Sequence, residues 1–158
     1  MNTTYYDTMP SPVGELLLTA SAAGITGVYL PGEHRRPEPD WELDPARFDD
    51  CRRQLDEYFA AHRFTFSLPL APPGTPFQHQ VWTELVDIEY GTTISYTELA
   101  RRVGRPNSQR AVGGANGRNP VCVIVPCHRV VGASGSLTGY SAGVDAKRWR
   151  IDFERGNA

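Results

Sequence analysis

No part of the 158-residue sequence has the makings of a membrane span. Its apolar runs stay far short of the roughly 20 residues that crossing a bilayer requires. The opening stretch MNTTYYDTMPSPVG has neither a basic start nor an apolar core, so no secretory signal is expected. Only three cysteines are present, Cys51, Cys122 and Cys127, an odd number without framework spacing. That excludes a disulfide scaffold and points to free thiols in a reducing compartment, the cytoplasm. Internal repeats and low-complexity tracts are missing as well.

Acid is missing from one region. Residues 99–144 contain no Asp or Glu, and their basic side chains are all arginine: Arg101, Arg102, Arg105, Arg110, Arg118 and Arg129, a net of +6. Residues 1–98 are the reverse, with 6 basic and 15 acidic side chains, while the whole chain is only −2. An arginine block on an acidic protein is either a solvated face or a docking surface for a polyanion, to which the forked guanidinium is suited.

What is present reads as an α+β protein: a small N-terminal strand/helix domain, residues 1–70, then a mainly helical C-terminal domain, residues 75–158. Glu15–Ala20 and Ile25–Leu30 read as strands around the turn at Ala22–Gly24. Residues 31–46, rich in proline and acid, read as a loop, and Phe48–Ala61 as an amphipathic helix. Phe64, Phe66, Leu68 and Leu70 alternate as in a strand. Ala71-Pro72-Pro73-Gly74 is the expected linker. Thr75-Pro76 then caps a helix with an apolar stripe of Phe77, Val81, Trp82 and Leu85. Ser95-Tyr96-Thr97-Glu98 matches a capping box opening a helix through Val103, stopped by Gly104, and a second helix covers Gln109–Asn116. This is the helix-turn-helix pattern. Gly113 and Gly114 each cost the second helix about 1 kcal/mol relative to alanine, so a neighbouring helix or a ligand backbone must approach closely. A last helix is expected over Asp145–Glu154.

The stretch VPCHRVV, residues 125–131, holds the chemistry. Cys122, Cys127 and His128 are too few and too poorly spaced for zinc, which takes four ligands in paired spacing. Two readings of Cys127 remain: a small core residue, or a nucleophile activated by the adjacent His128 and Arg129, with a buried acid orienting the histidine.

The motifs settle the choice by resemblance. Pro126-Cys127-His128-Arg129-Val130 is similar to the active-site signature of the O6-alkylguanine-DNA alkyltransferase family. Ile94-Ser95-Tyr96, Arg110-Ala111-Val112-Gly113-Gly114-Ala115, Asn119-Pro120, Gly139-Tyr140-Ser141 and Glu154 fall in that family's order and spacing. The likeness covers roughly residues 75–155 and extends loosely to Ser11-Pro12-Val13-Gly14. It implies single-turnover, cofactor-free DNA repair by a monomer. Duplex DNA is bound through the minor groove and the damaged guanine is flipped out. Its O6-alkyl group (or the O4-alkyl group of thymine) passes irreversibly to Cys127. In this resemblance His128 takes the thiol proton through a water, Glu154 orients His128, Tyr96 protonates the leaving guanine and Asn119 pins the joining segment. Arg110 fills the gap left by the base, and Ser95, Ala111, Gly113, Gly114 and Ala115 border the DNA. Tyr140, Ser141, Ala142 and Val130 line the base pocket.

Two departures from the pattern carry expectations. Ala142 stands where many members have glycine, so methyl adducts should react faster than benzyl ones; equal rates would refute this. The N-terminal domain offers only Cys51, His34 and His62, so no structural metal is expected. Two other functions compete. A DNA-binding regulator would keep Cys127 as core. A cysteine hydrolase would need an oxyanion hole and would leave the arginine block without a purpose. Non-reacting relatives replace the cysteine, and no cysteine-rich sensor domain precedes residue 75.

Overall fold

The computed structural model describes residues 3–33, 36–132 and 144–158. The chain divides into two compact units, one of residues 1–73 with 120–124 and one of 74–119 with 125–158. The linker composition at 71–74 marks the main division, but the return of 120–124 to the first unit has no sequence signal.

The first unit is built on a four-stranded sheet in the order β3-β2-β1-β4. Its strands are β1 (Tyr5–Met9), β2 (Leu16–Ser21), β3 (Gly24–Tyr29) and the short β4 (Glu42–Leu43). β1 and β3 flank β2 antiparallel, with Tyr5 opposite Ala20 and Leu17 opposite Tyr29, while β4 runs parallel to β1. β2 is buried for five residues in succession, which suits its central place and its apolar sequence. The hairpin turns at Gly24, where a Cβ would stand 2.5 Å from the Pro69 carbonyl oxygen. The helix α1 (Asp49–Phe59) buries Cys51, Leu55 and Tyr58.

The alternating stretch from Phe64 to Leu70 is not a strand. Only Leu70 bridges to Ile25. The Gln54 side chain takes over the pairing, accepting from the Ser67 amide at 2.9 Å and donating to the Ser67 carbonyl at 3.2 Å. One buried amide thus satisfies backbone groups that a neighbouring strand would otherwise have to meet.

In the second unit, α2 (Pro76–Val86) begins with a complete capping box. Thr75 Oγ1 accepts from the Gln78 amide at 3.1 Å, and Gln78 Oε1 accepts from the Thr75 amide at 2.9 Å. The strand pair β5 (Ile94–Ser95) and β6 (Val130–Val131) is parallel. Between these two strands lie α3 (Tyr96–Arg102) and α4 (Gln109–Gly117), and α5 (Val144–Asn157) ends the chain. Ser95 Oγ caps α3 by accepting from the Glu98 amide at 3.0 Å. The Glu98 carboxylate does not close the predicted box; it turns outward to Arg101 and Arg102, at 2.6 and 2.9 Å. Gly104, at φ 76, ends the helix in the left-handed region that glycine enters without strain. The α3–turn–α4 unit is a helix-turn-helix. It is fastened to α2 by the Trp82 indole N–H, which donates to the Ala115 carbonyl at 2.8 Å. Among the described residues, no helix is long and apolar enough to cross a membrane.

Candidate active site

The apolar run ahead of Cys127 is a pair of tight turns. Val123 adopts φ 72, and the Ile124 amide donates to the Cys122 carbonyl at 2.8 Å. A three-residue turn of this hand is rare, and costly for a β-branched residue. Pro126, at φ −82 and ψ 63, makes the common mirror-image turn, with the Cys127 amide donating to the Val125 carbonyl at 2.8 Å. Cys127–Arg129 then coil into a single 3₁₀ turn. With three residues per turn, the side chains of Cys127, His128 and Arg129 fan out in three directions.

His128 and Arg129 nevertheless converge on one carboxylate. His128 Nε2 lies 2.6 Å from Glu154 Oε2. Arg129 donates from Nε to Glu154 Oε1 at 2.7 Å and from Nη2 to Oε2 at 3.1 Å. Its Nη1 donates to the Ile88 carbonyl at 2.7 Å. His128 is 0% exposed and Glu154 1%. Burial would raise the Glu154 pKa, but the hydrogen bonds and charges of His128 and Arg129 outweigh it and hold the carboxyl at about 2. Burial pushes the His128 pKa down to about 4, against the pull of Glu154 and with the help of Arg150 and Arg129. His128 is therefore neutral at physiological pH. Its Nε2 carries the proton donated to Glu154, which leaves Nδ1 an acceptor. Nδ1 is buried and has no hydrogen-bond partner among the described residues.

Tyr96 opens α3. Its phenol pKa is raised, first by burial and then by Cys127, with Asn116 opposing, so it stays an O–H donor at neutral pH. Lys147, the only lysine in the chain, is fully buried on α5 with Nζ 5.8 Å from the Tyr96 ring centroid. Burial lowers its pKa to about 8, and the charge of Cys127 acts against that fall.

Two buried asparagines hold the backbone. Asn119 Nδ2 donates to the Val125 carbonyl at 2.8 Å, closing the chain's excursion through 120–124. Asn116 Nδ2 donates to the Cys127 carbonyl at 3.3 Å. Asn116, Lys147 and Arg150 escaped the sequence reading. Asn116 lies in the last turn of a glycine-rich helix, and the two cations sit where a helical face should be apolar.

The residues expected to border DNA divide. Arg110 and Ala111 are exposed on α4, and Gly113 and Gly114 are half-buried. Ala115 is 3% exposed and shares the buried face of α4 with Val112 and Asn116, so its side chain is not on the open face. A Cβ on Gly113 would stand 3.4 Å from Tyr96 Cδ1, whereas one on Gly114 would meet only the tip of Arg118 at 3.8 Å. Ser95 serves as the α3 cap. Val130 is fully buried, paired in β6 with Ile94. Tyr140, Ser141 and Ala142 lie outside the described residues. Among those described, no three His, Cys, Asp or Glu side chains gather to hold a metal ion.

Comparison with known proteins covers nearly the whole chain. Residues 76–156 match the model of the 6-O-methylguanine DNA methyltransferase DNA-binding domain, and residues 4–72 that of the 6-O-methylguanine DNA methyltransferase ribonuclease-like domain. The methylated-DNA–protein-cysteine methyltransferase of Methanosarcina barkeri is 44% identical over 155 residues, covering 97% of this chain and 98% of its own. That of Mycobacterium tuberculosis is 43% identical, covering 98% and 94%. The crystal structure of Mycobacterium tuberculosis OGT in complex with DNA superposes with a TM-score of 0.91 at 43% identity, covering 98% of this chain and 94% of that one.

Proposed function

The chain belongs to the 6-O-methylguanine DNA methyltransferase family, and from that premise we propose that it repairs DNA by moving the methyl group of O6-methylguanine onto its own Cys127. The observation that carries the assignment is His128. It is fully buried and neutral, tied through Nε2 to a carboxylate, with Nδ1 left to accept a proton. A core histidine has no need of that arrangement; a general base does.

The exposed face of α4 enters the minor groove of duplex DNA, its small residues allowing the helix axis close to the sugar-phosphate edge. The damaged base is flipped out of the stack and Arg110 takes its place. Cys127 gives its proton to His128 Nδ1 through an intervening water, since adjacent residues of a 3₁₀ turn do not face one another. The sulfur forms a bond to the methyl carbon as the bond from that carbon to O6 breaks, and the electron pair stays with the purine. Tyr96 protonates a ring nitrogen of the departing guanine and recovers a proton from the His128 side, so the proton count closes. Glu154 compensates the transient imidazolium, and Asn119 with Asn116 keeps the Cys127 backbone in place. The thioether is inert to water, so each molecule acts once. The protein works as a cytoplasmic monomer without a cofactor.

The test uses duplex DNA carrying methyl-labelled O6-methylguanine. Label should move to protein, saturate near one equivalent, and be absent with Cys127→Ser. Transfer that continues through many equivalents, or survives loss of the thiol, would sink the proposal. Arg110→Ala should slow transfer more than it weakens binding to undamaged duplex.

A further inference from the structure

His128 and Arg129 leave the same 3₁₀ turn in different directions, yet both end on the Glu154 carboxylate of α5. Glu154 Oε1 accepts from Arg129 Nε at 2.7 Å. Oε2 is shared: Arg129 Nη2 donates to it at 3.1 Å, and His128 Nε2 lies 2.6 Å away. A guanidinium that meets both oxygens fixes the plane of the carboxylate, which a lysine ammonium cannot do. The guanidinium is held in its turn. Nη1 donates to the Ile88 carbonyl at 2.7 Å, and its central carbon lies 5.4 Å from the Tyr90 ring centroid, within cation–π range. Ile88 and Tyr90 lie just beyond the end of α2. The 3₁₀ turn, α5 and the segment after α2 therefore meet on one buried guanidinium.

This matters at one moment of the transfer. When His128 Nδ1 accepts the Cys127 proton, the ring carries a proton on each nitrogen, and the one on Nε2 faces Glu154. In a buried pair, a neutral acid beside a neutral ring costs less than two ions. Left to themselves, the two groups would pass the Nε2 proton to the carboxylate. A protonated Glu154 would leave two N–H donors of Arg129 facing a neutral group, with the guanidinium charge buried and unmatched.

We propose that Arg129 is a positioning residue for the methyl transfer, its fork holding Glu154 as a carboxylate aligned on His128 Nε2 so that the proton taken from Cys127 stays on the ring. The inference rests on the reading of His128 as the base. Arg129 acts here through Glu154 and not on the thiol. The charged and titratable groups around the His128–Glu154 pair are Arg129 on the turn, Arg150 on α5 and Tyr90 after α2, with Cys127, Lys147 and Tyr96 on the side of the thiol. Burial favours a protonated Glu154, and the bonds and charges of His128 and Arg129 overcome it.

The experiment is the single-turnover methyl-transfer rate from pH 4 to 8 in the wild-type protein, Arg129→Met and Arg129→Lys. Arg129→Met removes both fork and charge. Its acid limb should move up by about one pH unit, and its plateau rate should fall about tenfold. Arg129→Lys keeps the charge without the fork, so its limb should stay at the wild-type position while its plateau falls. An unmoved limb in folded Arg129→Met overturns the proposal, because an arginine with a purely structural role would change the plateau alone. Should that variant not fold, carbon NMR of the Glu154 carboxyl in wild-type protein decides. A carboxylate still ionised at pH 4 is expected, and ordinary titration near pH 4.5 overturns the proposal. Failure of label to reach Cys127 in wild-type protein at every pH would instead overturn the alkyl-transfer reading on which it rests.

Discussion

His128 shows how one residue ties chemistry to stability. Its folded pKa is lowered to about 4 from an ordinary value of 6.5, so the unfolded chain takes up the proton first. Stability is therefore lost as pH falls from 6.5 towards 4. Glu154 has a depressed pKa of about 2, and the stability it contributes is present above its ordinary value of 4.5 and lost as pH falls from there towards 2. The two windows adjoin, so acidification should weaken the fold progressively from just below neutrality. His128→Gln keeps a donor towards Glu154 but cannot protonate. Urea unfolding of this variant should be flatter than wild type between pH 4 and 6.5, by about 2–3 kcal/mol across the window. Identical slopes would mean that His128 is charged in the folded protein.

At the scale of the element, α4 poses the question of its own glycines, and packing within the chain demands neither. A Cβ on Gly113 would meet the Tyr96 ring at 3.4 Å, an ordinary van der Waals contact. Gly114 has only the end of a flexible arginine nearby, so packing does not demand glycine there. Gly114→Ala should accordingly raise helix stability by about 0.5–1 kcal/mol. If this face docks on DNA, the same change should weaken duplex binding. A calorimetric gain in Tm together with unchanged affinity in a fluorescence titration would show that Gly114 does not approach the nucleic acid.

The charge asymmetry belongs to the whole molecule, and the structure qualifies it. Arg101 and Arg102 are exposed but share the Glu98 carboxylate, whose pKa their hydrogen bonds hold at about 2. The acid-free block begins one residue after the acid that tempers it. Glu98→Gln should release both guanidiniums for phosphates. Duplex affinity at low salt should rise several-fold, and the dependence of log affinity on log salt should steepen by about one to two. A slope equal to wild type would place both arginines away from the DNA. The α3 cap would survive the change, because Ser95 bonds the backbone amide of residue 98 and not its side chain.

Much of this was legible in the sequence. The N-caps at Thr75 and Ser95, the Gly104 stop and the hairpin at Gly24 are local rules, satisfied by neighbours within a few residues, and such rules can be read from one strand of text; the box expected at Ser95–Glu98 fails because the Glu98 carboxylate goes to Arg101 and Arg102. The Cys127-His128 pair, the arginine block and the spacing to Tyr96, Asn119 and Glu154 carried the family resemblance for the same reason. The alternation from Phe64 to Leu70 misled, because Gln54, more than ten residues earlier, satisfies the backbone that a strand would pair. Ala115 misled because the turn of α4 places it with Val112 and Asn116 on the buried face. The tautomer of His128, the fork of Arg129, the Asn116 tether and the burial of Lys147 and Arg150 were not legible. A charge in a sequence is written as though in water. Only packing removes the water and brings a distant carboxylate or guanidinium within reach, and those two changes decide which groups hold a proton. The sequence determined which reaction the chain is equipped for; the tertiary structure decided where the proton resides before that reaction begins.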